Sequence, residues 1–307
     1  MVDLSVELGP LRFKNPVLTA SGTFGYGTEF LPYLDLGELG GMVSKGLSPQ
    51  PREGNPPARI TETPAGMLNT IGLQNVGVDR FITEKLPPLA EFDTAVIANV
   101  FGETEAEYVE VCSKLDGASG VAAIELNVSC PNVEHGGMIF GNSPAELARV
   151  TRACRRATRL PLIVKLSPNV TDIRDTARAA EEAGADVISL VNTFVGMAVD
   201  VKRRRPVLAR GSGGLSGPAI RPLAVYMTHQ VYRTVGIPII GMGGIVEAAD
   251  ALEFILAGAS AVQVGTANFV HPDAAIRVLR GLATYLEQER IATVRELIGA
   301  LGEGDRA

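Results

Sequence analysis

The chain has 307 residues, 46% of them hydrophobic and 5% aromatic, with no tryptophan and a formal net charge of -6 at pH 7. The length is compatible with one large domain, as in α/β barrels, and the acidic balance excludes general nucleic-acid binding, which needs a basic surface. Three cysteines, Cys112, Cys130 and Cys154, stand too far apart for a Cys-x-x-Cys metal or redox pair, and a sparse, odd count suits a reducing compartment. Residues 1–8 alternate polar and apolar side chains, unlike a signal peptide, and no apolar run approaches the ~20 residues that cross a bilayer. A cytoplasmic protein without membrane attachment is expected.

Leu4–Leu8, a Gly9-Pro10 turn and Leu11–Lys14 read as an antiparallel hairpin suited to plugging one end of a barrel. Eight short apolar runs follow: Val17–Ala20, Met42–Ser44, Ala95–Ala98, Ala123–Leu126, Leu162–Val164, Val187–Val191, Ile237–Ile240 and Ala261–Val264. Such runs fit parallel strands buried on both faces. Helical segments alternate with several of them. Ser143-Pro144-Ala145-Glu146 carries an N-cap, a proline at N1 and a capping-box glutamate; Thr171 precedes a helix stopping at Gly184, and Glu247–Leu256 forms another. The expected fold is a single (β/α)₈ TIM barrel over residues 1–307, its N-terminal hairpin at one end and its active site at the C-terminal mouth. At or just past the strand ends stand Ser21, Lys45, Asn99, Asn127, Lys165, Asn192, Gly243 and Gly265, which share one face of such a barrel.

Gly241-Met242-Gly243-Gly244 follows the seventh run and Val264-Gly265-Thr266 the eighth. Loops after strands seven and eight commonly bind phosphate, because glycines let backbone N–H groups approach an anion. Tight strand–helix turns are the plainer reading of the same glycines. Neither Gly241-x-Gly243 nor Gly211-Ser212-Gly213-Gly214 completes a dinucleotide fingerprint: Val246 and Ser216 occupy the last glycine position. Lys45 and Lys165 each end an apolar strand, where a lysine needs a partner. A flavin ring that becomes anionic on reduction would supply one; a structural ion pair with a helix carboxylate is the alternative. Asn69, Asn99, Asn127, Asn132 and Asn192 both donate and accept, and suit a flat ligand with alternating N–H and C=O groups.

Cys130 stands apart from the other cysteines. Cys112 and Cys154 fall in helical runs and read as small core residues. Cys130 follows a strand within Asn127-Val128-Ser129-Cys130-Pro131-Asn132 and opens a Gly-rich loop, residues 133–137, with the character of a lid. Three histidines are present, and only His135 lies near a strand-end loop. No His/carboxylate spacing suggests a metal site. Lys202-Arg203-Arg204-Arg205 lies beside Pro206 and a Gly-rich stretch without aromatics, and reads as a solvated loop or one that pairs with phosphate or an acidic partner.

Taken together, the 127–132 run, Lys165, Asn192-Thr193 and the two late glycine motifs make the chain resemble the dihydroorotate dehydrogenase family over nearly its whole length. Cys130 at the base position, where quinone-linked members carry serine, resembles the cytosolic branch. Ser21–Gly27, Gly72-Leu73-Gln74-Asn75 and Gly214-Leu215-Ser216-Gly217-Pro218 are most similar to its NAD-linked subclass. The resemblance implies oxidation of dihydroorotate to orotate in pyrimidine synthesis, with Cys130 as base and FMN as hydride acceptor. It implies FMN contacts at Ser21, Lys45, Gly46, Asn99, Asn127, Lys165, Val191, Gly217, Gly243, Gly244, Gly265 and Thr266. Substrate contacts would fall at Lys45, Asn69, Thr70, Ile71, Gly72, Leu73, Asn127, Asn192 and Thr193. It further implies a partner subunit carrying FAD and a [2Fe–2S] cluster, in a heterotetramer of two catalytic and two electron-transfer subunits. A fumarate-linked enzyme, another FMN barrel acting on dihydropyrimidines and a catalytically silent phosphate-binding barrel remain the alternatives.

Overall fold

The computed structural model describes residues 2–128 and 140–302. Eight parallel strands close into a barrel in chain order: β1 (Val17–Thr19), β2 (Gly41–Val43), β3 (Ala95–Val100), β4 (Ala123–Asn127), β5 (Leu162–Lys165), β6 (Val187–Leu190), β7 (Ile239–Met242) and β8 (Ala261–Val264). β8 returns to β1 through Val262↔Val17 and Val264↔Thr19. Every residue of these strands except Ala95 is buried, which is why the runs are almost continuously aliphatic. The seventh strand begins two residues later than its apolar run. Pro238 has no N–H for the ladder, though its carbonyl still accepts from Ile188.

Helices α1 (Glu105–Asp116), α2 (Pro144–Ala157), α3 (Ile173–Glu182), α4 (Arg221–Tyr232), α5 (Ala248–Leu256) and α6 (Ala274–Glu289) follow β3 to β8 in turn. Ser143 caps α2 through Glu146 N, but the Glu146 carboxylate turns to Arg149 instead of closing the capping box. Asp172, not Thr171, caps α3: its carboxylate accepts from Arg174 N at 2.9 Å, where the helix dipole favours negative charge. No described helix is long and apolar enough to cross a membrane.

The hairpin forms as Val6–Leu8 against Leu11–Phe13. Its buried Val6, Leu8 and Phe13 cover the strands' N-terminal ends: Phe13 packs beside Gly41 at the start of β2, and the Gly9 turn sits on Asp186 before β6. At the opposite end lies an antiparallel four-stranded sheet, ordered Phe194–Gly196, Gly213–Ser216, Gly66–Asn69, Ile60–Thr63. It is assembled from two excursions, one after β2 and one after β6, and no apolar run announces it. The basic run tops a small ribbon, Val199–Asp200 with Arg205–Pro206, and its side chains are exposed.

Candidate active site

The barrel floor beneath the C-terminal mouth is polar. Glu125, on β4, is 0% exposed and accepts from Asn99 Nδ2 (2.7 Å), Ser189 Oγ (2.9 Å) and Gln263 Nε2 (2.8 Å). Lys165 Nζ, at the end of β5, lies 3.8 Å from Glu125 Oε1 and donates to Ser21 Oγ at 3.2 Å. Ser44 Oγ, past β2, accepts from Asn99 N at 3.2 Å. Four strands besides its own, β3, β5, β6 and β8, thus bring a side chain to one carboxylate. A charge so deeply buried requires partners on both oxygens, and the strands supply them. Lys165 does make a structural ion pair, yet with a strand carboxylate inside the barrel. That geometry leaves its ammonium between Glu125 and the Ser21 turn. Two buried acceptors, Asn99 Oδ1 and Gln263 Oε1, have no partner among the described residues.

Asparagines gather above this floor. Asn192 Nδ2 donates to Asn127 Oδ1 at 3.1 Å, and Asn192 Oδ1 accepts from Thr193 N at 2.8 Å. Tyr108 of α1 donates its hydroxyl to the Asn127 carbonyl at 2.8 Å, fixing the end of β4. Asn69 donates to Gly214 O at 3.3 Å within the capping sheet. The turn that follows is held from behind: Asn55 Nδ2 donates to Thr70 O (3.0 Å) and Oγ1 (3.1 Å), and Asn55 N donates to Ile71 O (3.0 Å). Gly72 and Leu73 take left-handed backbone, and a Cβ on Gly72 would meet Asn55 N at 2.5 Å. The segment 69–73 is therefore a rigid edge of the mouth, not a loose loop.

Lys45 leaves the end of β2, its backbone N–H bound to Gly25 O at 2.9 Å. No carboxylate lies within ion-pair distance of its ammonium among the described residues. Burial pushes its pKa down, with Glu29 opposing and Arg59 adding to the shift. An anionic ligand would relieve that cost.

The late glycine loops have the backbone of an anion site. Gly243 and Gly244 lie at φ 133° and 80°, and Gly217 at φ 97°. Asp250 braces the following helix start by accepting from Val246 N (2.8 Å) and Glu247 N (3.0 Å), and it pairs with Arg221 of α4. Thr266 Oγ1 donates to Ser216 Oγ at 2.8 Å, linking the β8 loop to the capping sheet. Gly265 has nothing closer than Ala20 Cβ, at 3.4 Å, to the point a methyl would occupy.

Ser21, Lys45, Asn99, Asn127, Lys165, Val191, Asn192, Gly243, Gly265 and Thr266 all stand at or just past the same strand ends. Gly46 follows Lys45, with Asn99 Oδ1 3.0 Å from the position of a Cβ. Cys130, Asn132, His135 and the Gly-rich loop lie outside the described residues. Cys112 and Cys154 are buried in α1 and α2 as free thiols. A cavity of 420 Å³ between Pro57-Ala58 and the 200–211 excursion shares no residue with the site. Among the described residues no cluster of histidine, cysteine and carboxylates could hold a metal ion.

Glu125, Ser189 and Gln263 are the polar residues that a search of strand ends passes over. Their signal is a polar residue inside a buried run, as in Ala123-Ile124-Glu125-Leu126 and Ala261-Val262-Gln263-Val264.

The family model for dihydroorotate dehydrogenase matches residues 3–286. The chain is 59% identical over 298 residues to the protein of Trichlorobacter lovleyi named "Dihydroorotate dehydrogenase B (NAD(+)), catalytic subunit", covering 97% of this chain and 98% of that one. It is 58% identical over 299 residues to the protein of the same name from Pelobacter propionicus, with the same coverage. The solved structure of the Eimeria tenella dihydroorotate dehydrogenase in complex with ferulenol superposes with a TM-score of 0.81 at 25% identity, covering 97% of this chain and 88% of that one. The polar barrel mouth, the near full-length match and the high identity together identify the chain as a member of the dihydroorotate dehydrogenase family.

Proposed function

We propose that this chain is the FMN-binding catalytic subunit of an NAD-linked dihydroorotate dehydrogenase, oxidising dihydroorotate to orotate. The supporting observation is the meeting of two contacts at one mouth: Lys165 with Ser21 at the floor, and Asn192 with Asn127 above it. The residues fit FMN. Asn99 Oδ1 is a buried acceptor in need of a ring N–H donor, and the Gly243-Gly244 backbone suits a terminal phosphate.

In this reading Ser21, Gly46, Asn99, Lys165, Val191 and Gly217 hold the flavin ring and its side chain, while Gly243, Gly244, Gly265 and Thr266 hold the phosphate. Asn127 and Asn192, with Thr193 and the 69–73 edge, match the amide and imide edges of the dihydroorotate ring. Lys45 meets the negative charge of the substrate and of the ring beside it. Cys130 takes the proton from C5. What bound FMN supplies is acceptance of the hydride from C6. The amides fix the substrate plane before the proton moves, so little reorganisation remains for the reaction itself.

Two relatives bear the name of a catalytic subunit linked to NAD(+). We extend that assembly to this chain: electrons leave through a partner subunit with FAD and a [2Fe–2S] cluster, two of each subunit forming a heterotetramer in the cytoplasm. The test is direct. Purified protein is yellow, and anaerobic dihydroorotate bleaches its flavin band. A colourless protein that takes up no FMN, or a flavin band indifferent to dihydroorotate, overturns the reading.

A further inference from the structure

Glu125 stands outside the proton and hydride chemistry proposed above, yet side chains from four other strands surround its carboxylate. Three neutral donors from β3, β6 and β8 converge on its two oxygens at 2.7–2.9 Å, and Lys165 Nζ stands 3.8 Å away. Both ions of the Lys165–Glu125 pair are almost wholly buried, with side-chain exposures of 5% and 0%. A buried pair of this kind contributes little net stability compared with apolar residues of the same volume. Apolar residues in place of the whole group, Glu125 with Lys165 and its donors, would serve a purely structural role as well. A charge kept here instead acts on whatever reacts above it, since the surrounding interior screens it weakly.

We propose that Glu125 is a positioning residue that sets the electrostatics of the flavin site through Lys165 and Asn99. The inference rests on the FMN reading of this mouth. The carboxylate does two things. It orients the Asn99 amide, drawing its N–H₂ down so that the unpartnered Oδ1 is presented to a donor. It also offsets the Lys165 cation, so that the ring senses a partly compensated charge instead of a full one. Lys165 favours electron uptake by the ring, and Glu125 moderates that pull. The site can then pass its electrons onward instead of retaining them.

Gln263 and Ser189 are the complementary part of the device. Their donors point at Glu125 Oε2, on the carboxylate oxygen away from Lys165 and Asn99, which are grouped at Oε1. The two oxygens are therefore divided in function: one is anchored to the barrel, the other directs the site.

The experiment is a redox titration of bound FMN in wild-type protein and in Glu125→Gln. Loss of the negative charge leaves Lys165 less compensated, so the two-electron midpoint moves positive. The expected effect is about a tenfold gain in the reduction equilibrium, equivalent to ~30 mV for a two-electron couple. Glu125→Asp keeps the charge and stays near the wild-type potential. FMN dissociation constants, measured by fluorescence of released flavin, report the Asn99 effect separately and rise in Glu125→Gln. An unchanged potential in Glu125→Gln, or an equal shift in Glu125→Asp, overturns the proposal. If Glu125→Gln does not yield folded protein, Gln263→Leu is titrated instead. Removing one donor dipole from the carboxylate moves the midpoint negative, and an unmoved midpoint overturns the proposal. Wild-type protein that binds no FMN would sink the functional reading itself; wild-type protein bleached by dihydroorotate beside an unshifted Glu125→Gln would sink only this inference.

Discussion

Asn192 reaches across the mouth to Asn127, its Nδ2 3.1 Å from Asn127 Oδ1, so the ends of β6 and β4 are joined over the end of β5. The contact orients both amides, because Asn192 is also held by Thr193 N. If both amides meet the substrate as proposed, Asn192→Ala removes one contact and the brace on a second. KM for dihydroorotate should rise about tenfold, the value of one lost hydrogen bond of ~1.4 kcal/mol, with FMN content unchanged. Steady-state kinetics and flavin-to-protein ratios measure the two quantities; an unaltered KM would remove Asn192 from the substrate set.

Lys45 makes stability depend on pH. Burial, the main cause, holds its pKa in the folded chain below the ordinary 10.5, so between the two values the unfolded chain binds more protons. Folded apoprotein therefore gains stability as pH climbs through that window toward 10.5, and the burial penalty is fully present below it. Lys45→Met removes the penalty and flattens this dependence. Solvent screening of a half-exposed group keeps the gain at pH 7 small, about 1–2 °C in Tm. Orotate affinity should fall in the same variant. Apoprotein melting curves from neutral pH to 10.5 decide it: a Lys45→Met protein with the wild-type slope contradicts the assignment.

Gly244 sits at φ 80°, and an added Cβ would come within 2.7 Å of Gly217 O. Gly244→Ala should cost about 1–3 kcal/mol in stability. It should also release FMN on desalting, because the strain falls on the loop proposed to hold the phosphate. Full flavin retention after gel filtration would show that the loop does not hold the phosphate.

Contact with Cys112, together with burial, pushes the Cys154 thiol well above its ordinary range. Both thiols should resist a disulfide reagent such as DTNB at pH 8 until the protein is unfolded. Fast native reaction of more than one thiol per chain would contradict their packing in α1 and α2.

Cys130→Ala should lower turnover by about 10²–10⁴-fold while FMN stays bound, as expected for loss of a general base. In the wild type turnover should rise from neutral toward alkaline pH, because a thiol must lose its proton before it can act as a base. Near-normal rates in the alanine variant would end the assignment of Cys130 as base.

The barrel was legible because its strands are predominantly apolar and its helices carry caps. Ser143 and Glu247 mark helix starts that the structure retains. The ring of residues at the strand ends was legible for the same reason: once strands are located, their C-terminal ends define the mouth. The capping sheet was not legible. Its strands are three or four residues long and hold glycines at 66, 196, 213 and 214, so neither length nor β-propensity marks them. Pairing between segments nearly 150 residues apart, Asn69 with Gly214, leaves no local trace. Glu125 was hidden differently. A lone charge in a buried strand looks like an exception until its three donors, on three other strands, are seen together.

The capping sheet comes from two stretches of chain that share a ladder, Met67 to Asn69 against Ser216 to Gly214. Neither stretch supplies a barrel strand. The sheet over the mouth is thus modular with respect to the strands that carry the Glu125 network below it. Transplanting both stretches together from a related barrel would exchange one flat substrate for another with the floor left intact. Transplanting either alone would strand an unpaired β-edge over the mouth.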